Sequence, residues 1–67
     1  MKISYDREED ILMLELDPQA QVDHAEHIDS VIMHVTASGQ PVLLEILDAS
    51  EFLARVVRAA MTSKQSA

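Results

Sequence analysis

The 67-residue sequence contains no cysteine and no tryptophan, and it has only one glycine, one tyrosine and one phenylalanine. Without cysteine, the chain cannot form a disulfide, a thiolate metal site or a thiol nucleophile. A domain of this length buries only about 60% of its unfolded surface and is marginally stable alone. Because small domains without disulfides or metals often depend on oligomerisation, we expect self-association, most simply a homodimer.

Long hydrophobic runs are also lacking. No apolar stretch approaches the roughly 20 residues that a membrane-spanning helix needs. The opening segment, MKISYDREED, contains no hydrophobic core of a signal peptide. The hydrophobic fraction of 48% nevertheless suits a folded domain. We therefore expect a single cytoplasmic domain over residues 1–67 that does not associate with membranes.

Positive charge is scarce in most of the chain. The formal net charge is −7, and no lysine or arginine occurs between Glu8 and Ala54, whereas eleven acidic residues do. Such an acidic body repels phosphates and disfavours direct nucleic-acid binding. Two interpretations remain: a solvated surface that keeps the protein soluble, or an acidic surface that attracts a small basic partner protein.

Alternation of polar and apolar residues predicts an α+β fold, with a small antiparallel sheet of four to five strands followed by one helix. The predicted strands cover residues 2–5, 11–16, 22–28, 30–36 and 41–47, the third with the weakest pattern. Apolar residues at three- and four-residue spacing then predict a C-terminal amphipathic helix. Asp48 is expected to cap its N-terminus, with Glu51 three residues later. We expect the fold to end near residue 61 and residues 62–67 to form a frayed tail.

The predicted strands are apolar on both faces. A sheet covered by a helix on one side usually has a polar opposite side. Here several aliphatic residues remain on the side that the helix does not cover, and leftover apolar surface on a small domain marks an interface. The candidate interface residues are Ile11, Met13, Ile32, Leu43 and Leu47.

Three histidines are the only candidates for a metal site. His24 and His27 lie within an acidic segment, and His34 follows on the next strand. Imidazoles and carboxylates are common zinc ligands. However, on a strand His24 and His27 point to opposite faces, so they do not converge on one ion. We therefore predict no metal site and no cofactor.

Catalytic motifs are absent from the sequence. No serine lies in a nucleophile elbow of the G-x-S-x-G type. The paired carboxylates Glu8 and Glu9 fall in an exposed turn without an apolar pocket that would raise a pKa. We expect no catalytic residues and a protein that is not an enzyme.

Three segments resemble one known family of small bacterial and archaeal proteins. They are KISYDREEDILMLEL at 2–16, VIMHVTASGQPV at 31–42 and LLEILDASEFL at 43–53. Together they resemble the family called domain of unknown function 2283. The resemblance implies a small antiparallel sheet with a C-terminal helix, and no catalytic residues. It also implies an antitoxin-like role as the partner of a small basic ribonuclease-type toxin.

Two functions are compatible with these features. The first is a non-enzymatic protein-interaction module, antitoxin-like, that neutralises a small basic partner encoded nearby. The second is a homodimeric structural or small-ligand-binding domain without a dedicated partner.

Overall fold

The computed structural model describes residues 1–63 and contains five strands followed by one helix. The predicted α+β fold is therefore confirmed, and the third strand, which had the weakest pattern, is present. Residues 64–67 of the predicted tail lie outside the described part. The elements are β1 (Lys2–Asp6), β2 (Ile11–Glu15), β3 (His24–Ile28), β4 (Val31–Val35), β5 (Pro41–Leu47) and α1 (Ala49–Ser63).

All neighbouring strands are antiparallel, in the order β1-β2-β5-β4-β3. Two hairpins, β1-β2 and β3-β4, therefore flank β5, which enters the sheet last and joins them. Ile11 of β2 lies opposite Leu47 of β5, and Val31 of β4 lies opposite Ile46. The longest and most apolar strand is thus the centre of the sheet, and the two most polar strands, β1 and β3, lie at its edges.

Three aspartates allow the tight turns at one end of the sheet. Asp10, Asp29 and Asp48 have φ values of 57°, 52° and 50° and end or form the connections β1-β2, β3-β4 and β5-α1. Aspartate tolerates this left-handed region better than most residues because its short polar side chain bonds locally. Gly39, with φ of 89°, does the same in the β4-β5 turn. The chain therefore needs only one glycine.

The register separates the sheet into two faces. On the helix-side face, Leu44 lies between Leu14 and Met33, and Ile46 lies between Leu12 and Val31. The opposite face carries the alternate residues of the same strands, and we call it the open face. Among the described residues, the buried apolar side chains are Val35, Val42, Ile46 and Ala49, each no more than 6% exposed.

The helix cap differs from the prediction. The carbonyl of Asp48 accepts the first helical hydrogen bond, from the amide of Phe52 at 3.1 Å. The carboxylate that binds the N-terminus belongs instead to Asp10 in the β1-β2 turn. It accepts hydrogen bonds from the Ser50 amide at 3.2 Å and the Ser50 hydroxyl at 2.9 Å, while its backbone carbonyl accepts one from the Ala49 amide. Asp10 thus anchors the helix to the sheet across 40 residues of sequence.

The same carboxylate also accepts a hydrogen bond of 2.6 Å from the Tyr5 hydroxyl. The Tyr5 bond, followed by those from Ser50, holds the pKa of Asp10 below its ordinary value of 3.8. We call this group, Tyr5, Asp10 and Ser50, the helix anchor.

The helix also ends later than predicted. It continues to Ser63, and the Thr62 hydroxyl donates a hydrogen bond of 2.9 Å to the Arg58 carbonyl. Residues 62 and 63 are therefore helical rather than frayed. No helix among the described residues is long and apolar enough to span a membrane.

Candidate protein-interaction surface

All five residues predicted to form an interface lie on the open face. The register pairs Ile11 directly with Leu47, and Met13 and Ile32 flank the same residue, Glu45, from either side. Leu43 lies two residues from Glu45 along β5 and therefore shares this face. The three central strands thus bring together side chains that are up to 36 residues apart in the sequence.

These five side chains are only partly buried in the single chain. Helix α1 begins at the end of β5 and lies over the other face, where Phe52 and Val56 border the same groove as Val31 and Met33. Within residues 1–63, no helix covers the open face. The aliphatic cluster is therefore shielded only by its own neighbours in the sheet.

A histidine–glutamate pair lies in the middle of this cluster. His34 Nε2 and Glu45 Oε1 are 2.7 Å apart, and their side chains are 25% and 27% exposed. The pair is diagonal across β4 and β5, with Ile32 and Leu43 as the direct cross-strand neighbours. A polar pair that aliphatic groups partly shield from water can fix the orientation of a binding partner, because the partner must supply hydrogen-bonding groups where it covers the pair.

Sequence reasoning missed this pair. His34 and Glu45 each lie on the less apolar side of a predicted strand, but their contact depends on the register between β4 and β5. The short turn around Gly39 joins these strands and is the one local signal that indicates their pairing.

Charged residues surround the cluster at the β1 and β2 side. Asp6 lies opposite Ile11, and Lys2 lies opposite Glu15 on the same face. Because Lys2 is compensated by Glu15, the excess charge near the aliphatic cluster comes from Asp6 and Glu45. The open face therefore combines an apolar centre with an acidic environment.

The three histidines do not come together. His24 lies opposite Val35 on the helix-side face, whereas His27 and His34 lie on the open face. No group of three or more metal-binding side chains occurs among the described residues.

His24 has acidic partners of its own. Its Nδ1 lies 2.8 Å from the Asp23 carboxylate and its Nε2 lies 3.1 Å from that of Glu26. These contacts, Asp23 first, raise the pKa of His24 above its ordinary value of 6.5. Since all three side chains are about half exposed, this is a solvated ion pair on an edge strand.

Comparison with known families identifies the chain. The model of the family described as "Protein of unknown function (DUF2283)" matches residues 2–50, which is most of the sequence. The match includes all five strands and the helix anchor. The chain therefore belongs to the DUF2283 family. Neither the curated proteins nor the solved structures include a significant match.

Proposed function

We propose that this member of the DUF2283 family is a non-enzymatic protein-interaction module that binds a small basic protein through its open face. The observation that carries the proposal is the aliphatic cluster, Ile11, Met13, Ile32, Leu43 and Leu47, which no helix covers within residues 1–63. Apolar patches of this kind on soluble domains mark sites of association.

The apolar centre supplies the affinity. If a partner removes on the order of 200 Å² of residual apolar surface from these five side chains, the gain is about 5 kcal/mol before the costs of association. This free energy contributes to affinity only if the partner also forms hydrogen bonds with the polar atoms that it covers. The Glu45 carboxylate already bonds to His34 with one oxygen. Its second oxygen can accept a hydrogen bond from an incoming lysine or arginine.

The acidic body supplies attraction at longer range. With a net charge of −7, the chain steers a basic partner toward itself and repels acidic competitors. A small basic toxin of the ribonuclease type fits both requirements, since its own substrate-binding surface must be cationic to hold RNA. Covering that surface would neutralise it, so the proposed role is that of an antitoxin.

The test is co-purification with the products of the neighbouring genes, among which the proposal requires a small basic protein. We expect a complex at low salt that weakens as salt is added. Leu43→Asp should abolish the complex, because it places a carboxylate in the apolar centre beside Glu45. Gln21→Asp makes the same change of charge at an exposed loop position and should leave binding intact.

A second variant guards against misfolding of Leu43→Asp. Glu15→Gln removes one acidic charge beside the cluster without placing two lysines opposite each other, and it should slow association with little effect on the thermal unfolding of the chain. The proposal fails if no neighbouring gene encodes a basic protein and nothing binds at low salt. It also fails if folded Leu43→Asp binds as tightly as the wild type.

A second candidate function is self-association without a dedicated partner, as a structural or small-ligand-binding domain. One observation favours it: only four apolar side chains are buried in the described part of the chain. Such a small core suggests that a further surface completes the fold.

A further inference from the structure

An apolar groove of about 460 Å³ lies between α1 and the β3-β4 side of the helix-side face. The sheet contributes Ile28, Val31 and Met33, and the helix contributes Phe52, Val56 and Ala59. A helix that covered the sheet closely would fill this space with its own side chains. The groove therefore shows that α1 stands away from the β3-β4 hairpin.

The apolar side of α1 is broader than the part that borders the groove. Leu53 and Val57 lie one residue further around the helix and are 47% and 55% exposed, and Met61 continues the same side at 65%. An amphipathic helix normally turns its apolar stripe to the core. In this chain a large share of that stripe is in solvent, although the helix anchor fixes the first turn to the sheet.

The dimensions of the chain agree with an unfilled surface. Its radius of gyration is 13.9 Å, whereas a compact domain of this length has about 11 Å. Its accessible surface is 5200 Å², whereas about 4,200 Å² is expected for its mass. This excess, on the order of 1,000 Å², belongs to the whole chain, the open face included, and is large enough for one stable interface, to which each partner contributes ~800 Å².

We propose that a second copy of this chain occupies this groove, so that the α1 helices of two copies form the seam of a homodimer. A twofold seam needs a surface that is complementary to itself, and this chain carries both parts. One copy contributes the exposed apolar side of its α1, which carries Leu53, Val57 and Met61. The other copy contributes the groove beside Phe52 and Val56, in which those side chains are placed.

Charge favours the same occupant. Helix α1 carries Arg55 and Arg58 against a single acid, Glu51, so its net charge is +1 in a chain of net −7. The helix of one copy is thus the most basic segment available to the acidic sheet of the other. At the groove itself, Asp29 and Arg55 both contribute to the lining, so the charges there nearly balance and the attraction comes from the acidic sheet as a whole.

This seam is separate from the open face and does not depend on the proposed function. Because the groove lies on the opposite side of the sheet, a dimer leaves both open faces accessible. A dimer formed in this way presents two equivalent partner sites.

Light scattering coupled to size exclusion tests the seam on the wild-type chain. We expect twice the 7.5 kDa of one chain at tens of micromolar protein. Val57→Glu should return the mass to that of one chain, because it places a charge in the seam. Arg58→Gln lowers the net charge by the same amount on the polar side of α1 and should leave the dimer intact.

A second measurement keeps the proposal testable if Val57→Glu fails to fold. The native chain lacks cysteine, so Val57→Cys introduces a unique thiol. A short bis-maleimide should convert this variant to a covalent dimer, whereas Gln21→Cys, at an exposed loop position, should not be cross-linked.

Three results would overturn the proposal. One is a wild-type protein with the mass of a single chain, whether the groove is free or holds a small apolar ligand. Another is a Val57→Glu variant that stays dimeric. The third is a dimer that Leu43→Asp dissociates and Val57→Glu does not, since that result would place self-association on the open face. Failure of partner binding with an intact dimer would count against the proposed function alone.

Discussion

Two substitutions on the central strand β5 distinguish its two faces. Ile46→Ala and Leu43→Ala each remove three carbon atoms, but from opposite sides of the sheet. Ile46 is 6% exposed and packs between Leu12 and Val31. Leu43 is only partly buried on the open face. The difference in cost therefore measures how much of the core lies on each side.

The expected magnitudes follow from burial. Truncation of a fully buried isoleucine costs 2–5 kcal/mol, so we expect about 3 kcal/mol for Ile46→Ala. Leu43→Ala should cost roughly half as much, about 1.5 kcal/mol, because part of its surface is already in water. Since a chain of this size is stable by only about 3–10 kcal/mol, the first substitution removes a large share of the total.

Urea denaturation followed by circular dichroism measures this difference. With a slope of about 1 kcal/mol per molar urea, the two midpoints should differ by about 1.5 M. Both variants are compared at one protein concentration without partner, so that any dimer contributes equally. Ile46→Val, expected to cost about 1 kcal/mol, serves if Ile46→Ala does not fold. Equal midpoints, or a larger loss for Leu43→Ala, would refute the assignment of the faces.

Three further predictions concern the turns and edges. Asp10→Asn should lower the melting temperature and the helix content. Because the Tyr5 hydrogen bond lowers the pKa of Asp10 below 3.8, the stabilisation from this carboxylate is present above that pH and is lost as pH falls through the lowered pKa. The stability of the variant should therefore depend less steeply on pH in the acid range. His24 should titrate above pH 6.5 by NMR, since the contact with Asp23 raises its pKa. The stabilisation that the charged imidazole contributes is complete below pH 6.5 and is lost as pH rises through the raised pKa. An unshifted titration would contradict the contact. Gly39→Ala should destabilise the chain by about 1–2 kcal/mol in urea, since the position has φ of 89° and open space for the methyl group, leaving backbone strain as the only cost.

The sheet and its two faces could be predicted from alternation alone. The strand pattern around β2, β4 and β5 assigned Ile11, Met13, Ile32, Leu43 and Leu47 to one side, and the register places them there. Side chains alternate strictly along a strand, so one correctly placed strand fixes the face of all its residues. The order of the strands was not predictable in this way, because pairing β5 between two hairpins is a long-range choice.

The helix anchor could not be read from local signals. Asp48 occupies the expected capping position, but the carboxylate that binds the helix comes from Asp10, 40 residues earlier. In the sequence Asp10 is one of several acids in a charged turn, and nothing local separates it from Glu8 or Glu9. Its role depends on the turn meeting the end of β5.

The sequence also did not predict that α1 lies away from the β3-β4 hairpin. The apolar spacing predicted a helix that covers one face of the sheet, and it gave no information on how closely the helix packs. One signal was present, since the apolar side of α1 includes both Val56 and Val57 and extends around the helix to Met61. A stripe of that width exceeds what one small sheet can bury.

The most direct test of the proposed open-face site is a methyl NMR titration with the proposed partner, a small basic protein encoded by a neighbouring gene if one is found there. We predict shifts for the methyl groups of Ile11, Ile32, Leu43 and Leu47, and no shifts for Leu12, Leu44 and Ile46 on the same strands. Because residues on the two faces alternate along the same strands, the helix-side methyl groups serve as the control within one experiment. Shifts confined to the helix-side set, or spread equally over both sets, would contradict the assignment of the partner to the open face.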